Sequence, residues 1–79
     1  MKHSDALYLV KDEIDKAFKK SKTNNTLSYM SLLTNVKKRL LPIKSFEDAS
    51  VIGFISFTAL MNPEYDEVEV NGELHIQKK

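Results

Sequence analysis

Between Ser45 and Pro63 the chain carries large aliphatic or aromatic side chains at Val51, Ile52, Phe54, Ile55, Phe57, Leu60 and Met61, and no lysine or arginine. At about 100° per residue these positions spread around the whole helical cylinder, whereas a surface helix confines its apolar residues to one stripe. Such a helix has no wet side. In a small domain it either sits at the centre of the core or leaves apolar surface for a partner.

The chain has 79 residues, one small domain near the size at which a single core is only just sufficient. It has no cysteine, so neither disulfides nor a thiolate metal site can reinforce the fold. The net charge of +1 hides a division along the sequence. Residues 1–44 hold ten Lys/Arg against four Asp/Glu, and residues 45–77 hold seven Asp/Glu and no Lys/Arg. No apolar run approaches the roughly 20 residues that span a bilayer, and the first residues are charged throughout, unlike a signal peptide. The chain reads as intracellular.

Periodicity predicts three helices and a hairpin. Leu7, Val10, Ile14 and Phe18 mark a helix over about 5–20, with Ser4 or Asp5 as N-cap and Lys19, Lys20 and Lys22 at its C-terminal end. Thr26 and Leu27 allow a short extended piece. Ser28 then caps a helix over about 28–41, whose face is Tyr29, Leu32, Leu33, Val36 and Leu40 and which stops before Pro42. Ser45 and Asp48 have capping-box spacing for a third helix, about 46–62, ended by Pro63. Gly53 inside that helix predicts close packing of a neighbour.

Alternation from Glu67 to Gln77 about Asn71-Gly72 predicts a hairpin. A two-residue loop would put Val68 and Val70 on the face opposite Leu74 and Ile76. A three-residue loop with a bulge would gather all four on one face, and that arrangement is expected. The order helix, short strand, helix, helix, hairpin is that of a winged helix, an α+β fold in one domain over residues 1–79.

Most winged helices lay the third helix in the DNA major groove, where cations and amides reach phosphates and bases. Here that helix and the wing carry no cation and present Glu47, Asp48, Glu64, Asp66, Glu67, Glu69 and Glu73, which suit a protein surface better.

The span Thr26 to Lys79, about two thirds of the chain, resembles the C-terminal winged-helix domain of kleisins, most of all the condensin kleisin subunit. The features are Leu27-Ser28 followed by Leu32-Leu33 and Lys38-Arg39-Leu40, then Phe54, Leu60 and Asn62 in the third helix, then the hairpin Glu67 to Gln77. The chain departs from the family at Ala59, where a histidine is usual, at Thr58 and Met61, at Pro63, and in its shorter wing. The resemblance implies docking of the third helix onto the ATPase head of an SMC subunit, closing a ring around DNA in the nucleus, on chromosomes, during mitosis and the cell cycle. It also implies that the chain is part of a longer protein, and that ATP and magnesium belong to the partner. Phe54, Ile55, Phe57 and Met61 are the candidate partner-binding residues, with at least one of them required by the core.

An enzyme is not expected. His3 near a terminus and His75 on an outward strand position form no acid–base or nucleophilic cluster, and no cofactor or metal is expected. Two other readings remain. Lys16, Lys19, Lys20, Lys22, Lys37, Lys38 and Arg39 would form a weak, salt-sensitive DNA patch if the ends of the first two helices meet. The alternatives to the kleisin reading are a stand-alone winged-helix DNA-binding protein and, separately, a small homodimer that buries the third helix against its copy, either of them cytoplasmic.

Overall fold

In a computed structural model, which describes residues 3–21 and 25–79, each helix forms where its apolar spacing demands. Helix α1 spans His3–Lys20 and buries Ala6, Val10, Ile14 and Phe18, one per turn, with Asp5 in its first turn and Lys19 and Lys20 in its last. Strand β1, Thr26–Ser28, leads directly into helix α2, Tyr29–Leu40. Ser28 is the N-cap: its Oγ accepts from the Ser31 N–H at 3.0 Å, and the Ser31 hydroxyl donates back to the Ser28 carbonyl at 2.8 Å. Helix α2 buries the face foreseen, Tyr29, Leu32, Leu33, Val36 and Leu40.

Helix α3, Asp48–Met61, starts later than its capping-box spacing indicates. Its N-cap is Glu47, extended and making no side-chain cap bond, so Ser45 does not cap it. The reason lies in Phe46, whose ring packs edge-on against Phe54 with centroids 5.1 Å apart, beneath the Lys44 ammonium. That contact holds the approach extended. At the other end the Asn62 amide donates to the Thr58 carbonyl at 2.7 Å, and the buried Thr58 hydroxyl donates to the Phe54 carbonyl at 2.8 Å.

Strands β2, Tyr65–Val70, and β3, Glu73–Lys78, form the wing, and β1 pairs with the far side of β3. The sheet is antiparallel in the order β1-β3-β2, with Leu27 opposite Ile76. Helix, strand, helix, helix and hairpin in this order make a small α+β winged helix. Val70 faces Glu73 and Val68 faces His75, and Asn71 and Gly72 both have positive φ, 53° and 82°. This is the two-residue primed turn that an Asn-Gly pair favours, and it corrects the expected three-residue loop. The helix-facing side of the sheet takes Tyr65, Ile76 and Leu27 together with Glu67 and Glu69. Val68 and Val70 lie on the outer side.

Two polar contacts explain why a glutamate and a tyrosine replace the valines under the helices. The Tyr65 hydroxyl donates to Asp15, its ring stacks on Phe18 at 5.4 Å, and Lys11 joins Asp15 at 2.9 Å and Glu64 at 3.1 Å. The Ser56 hydroxyl donates to Glu67 Oε2 at 2.6 Å, and the buried Tyr29 hydroxyl lies beside this pair. Burial, and then the neighbouring carboxylates Asp15 and Glu67, push both phenols well above the ordinary tyrosine value.

The core joins all three helices to the sheet through Val10, Ile14, Val36, Leu40, Val51, Ile55 and Ile76, each fully buried. Ile55→Ala is expected to cost about 2–5 kcal/mol in urea unfolding, against less than about 1 kcal/mol for Leu60→Ala. The raised phenol values set a second expectation. A tyrosine held above its unfolded value contributes stability that is intact below pH 10.0 and is lost as pH climbs past it. The urea midpoint should therefore hold up to about pH 10 and fall above it, and Tyr65→Phe should remove part of that slope.

Candidate protein-docking surface

Helix α3 is apolar all round, so the site follows from which of its faces the fold encloses. Val51, Ile55, Thr58 and Ala59 face inward. Ile55 is fully buried and is a core residue, which removes it from the candidate partner-binding set. Phe54 is half-buried against the core and Phe46. Phe57 is 49% exposed, Leu60 71% and Met61 65%. These last three share a face one helical turn long at the C-terminal end of α3.

Helix α1 supplies the facing wall. Leu7, Tyr8 and Lys11 line a groove with Phe57, Thr58 and Met61, and the groove continues past Leu7 to Ser50, Gly53 and Phe54. Tyr8 is 72% exposed, an aromatic on the solvent side of α1. Sequence reasoning singled out neither Tyr8 nor Leu60 as a contact. The available signal for Tyr8 was its position off the stripe of Leu7, Val10, Ile14 and Phe18, where an aromatic has no core to enter.

Gly53 lies in the floor of this groove, and a Cβ built there meets nothing within 4 Å. Among the described residues no neighbour packs against it, contrary to the expectation from sequence. Its effect is instead to leave the groove unfilled between Phe54 and Phe57. Lys11 at the groove's end is held by Asp15 and Glu64, whose carboxylates raise its ammonium above the usual lysine range.

The six of these seven cations that lie among the described residues do not form one patch. The C-terminal half of α1, with Lys16 and Lys20, lies beside the first turns of α2, around Ser31 and Asn35, rather than beside its basic end. Arg39 instead reaches Asp12 at 2.8 Å and Glu13 at 3.5 Å, Lys16 reaches Asp12 at 3.2 Å, and Lys37 meets Asp48 at 2.6 Å. Arg39, and then Lys16, hold the Asp12 carboxyl below the usual carboxylate range. Lys19, Lys20 and Lys38 stay exposed, and Lys22 lies outside the described residues.

Among the described residues no three His, Asp or Glu side chains converge as a metal would require. His75 sits on the outer side of the sheet with its Nδ1 3.1 Å from the Glu73 carbonyl, and the His3 side chain lies outside the described residues. No helix among the described residues is long and apolar enough to cross a membrane. No protein-family model, curated protein or solved structure matches the chain.

An exposed glycine inside a helix costs about 0.5–1 kcal/mol relative to alanine, and nothing near Gly53 resists a methyl group. Gly53→Ala should therefore raise stability by about that amount in thermal or urea unfolding. A fall in stability would mean that the groove floor is closed.

Proposed function

We propose that this winged helix is a non-enzymatic docking module that seats a partner protein in the groove between α1 and α3. The observation that carries this reading is the exposure of Phe57, Leu60 and Met61 beside Tyr8, a continuous apolar surface on the helix that other winged helices give to DNA. Fully burying side chains of this size is worth about 1.5–3 kcal/mol each. Three or four half-exposed anchors at the centre of an interface, rimmed by polar groups such as Lys11 and Asn62, are the usual source of stable association.

The resemblance to the kleisin C-terminal domain names the partner in this proposal. It is the ATPase head of a condensin-type SMC subunit, gripped by the third helix, with nucleotide and magnesium held by that head. Phe54, Phe57 and Met61 keep their proposed roles, Tyr8 and Leu60 join them, and Ile55 supports the face from beneath.

DNA binding is the weaker alternative. Helix α3 and the wing offer carboxylates to a phosphate backbone, and Arg39, Lys16 and Lys37 are engaged within the molecule. Lys19, Lys20 and Lys38, exposed but not joined with the others in one patch, support only weak, salt-sensitive contact.

On gel filtration the chain should co-elute with a condensin-type SMC head. Phe57→Arg or Met61→Arg should weaken that complex by about 100-fold or more, as loss of a central anchor does. Leu41→Arg, at an exposed leucine just beyond α2, should leave it intact. Melting curves close to that of the unaltered protein would show that the variants fold. Absence of co-elution with any SMC head would remove the kleisin assignment, and unchanged binding by Phe57→Arg would remove the groove.

A further inference from the structure

The outer side of the wing carries two valines that the fold does not use, and the strand bearing them is an edge. Among the described residues strand β2 pairs with β3 alone. The Lys79 N–H donates to the Glu64 carbonyl at 2.9 Å, and the register continues from there in pairs, with Val68 opposite His75 and Val70 opposite Glu73. Backbone bonds in an antiparallel ladder alternate. The even positions, Asp66, Val68 and Val70, therefore turn their amides and carbonyls toward β3, and the odd positions Tyr65, Glu67 and Glu69 turn theirs away.

The Tyr65 N–H is taken by the Asn62 carbonyl at 3.1 Å. Among the described residues, no backbone bond outside helices and strands reaches Glu67 or Glu69. A row of outward amides and carbonyls thus runs along β2. The strand has a pattern to match: carboxylates at Glu67 and Glu69 on the helix-facing side, and Val68 and Val70 on the outer side.

We propose that β2 accepts an extended basic segment of a partner protein as a fourth strand. The segment would alternate Lys or Arg, opposite Glu67 and Glu69, with β-branched residues beside Val68 and Val70. Main-chain bonds to Glu67 and Glu69 give affinity, and alternate side chains give specificity. The acidic row selects against a second copy of this chain, because pairing β2 with its own copy sets carboxylates of the two strands against one another. The proposal concerns a surface separate from the α1–α3 groove and stands or falls independently of it.

The test uses the unaltered protein and the peptide Lys-Val-Lys-Val-Lys-Val-Lys, with Glu-Val-Glu-Val-Glu-Val-Glu as its acidic counterpart. The basic peptide should slow hydrogen exchange at the Glu67 and Glu69 amides at least about tenfold, by an amount that falls with added salt. The acidic peptide should not. Glu69→Lys, which reverses the charge of the exposed member of the row, should weaken the basic peptide relative to the acidic one. Glu69→Pro removes an outward N–H without touching the β3 ladder, and should weaken the basic peptide about tenfold while the protein still melts cooperatively.

Unchanged exchange at both amides would leave the carboxylates as guards against strand pairing and overturn the proposal. So would equal binding of the acidic peptide, protection mapping to α3, or a dimer formed through β2.

Discussion

The enclosure of one face of α3 is the constraint from which the rest of the molecule follows. Val51, Ile55 and Ala59 are fully buried, and around them α1, α2 and the sheet converge through Ile14, Leu40 and Ile76. Two helices and three short strands can cover one side of a cylinder and no more. The opposite side, from Gly53 to Met61, remains open because no further element exists among the described residues to cover it. Core and groove are two sides of the same helix, which is why a substitution at Ile55 acts on the core and one at Phe57 changes an exposed surface.

What was legible in the sequence had a local cause. Ser28 caps α2 through a bond to Ser31, Leu27 joins the sheet opposite Ile76, and α2 and α3 stop ahead of Pro42 and Pro63, because each of these depends on a few neighbouring residues. The errors arose where distant residues decide. A helix that is apolar all round carries no signal for its own rotation, so Ile55 could not be told from Phe57. The alternation about Asn71-Gly72 marks Glu67 as a solvent residue, whereas Ser56 of α3 draws it under the helices and Tyr65 leads the buried row. Phe46, pairing with Phe54, overrides the Ser45 cap in the same way.

The division of charge along the sequence is largely consumed within the fold. Arg39 clasps Asp12 and Glu13 of α1, Lys37 meets Asp48 at the start of α3, and Lys11 reaches Glu64 ahead of the wing. Exposed pairs of this kind contribute little stability individually, about 0–1 kcal/mol. Their effect is to bring basic and acidic segments together across helix boundaries, which leaves the remaining carboxylates concentrated on the wing and its edge strand.

The pairing of Thr26–Ser28 with the final strand shapes how such a chain emerges from a ribosome. Helices α1 and α2 are made before β3, and the sheet that closes over them depends on Ile76, so their apolar sides stay uncovered until β3 has been made. A nascent chain arrested before Ile76 should therefore be more prone to aggregation and proteolysis than one in which β3 has been made.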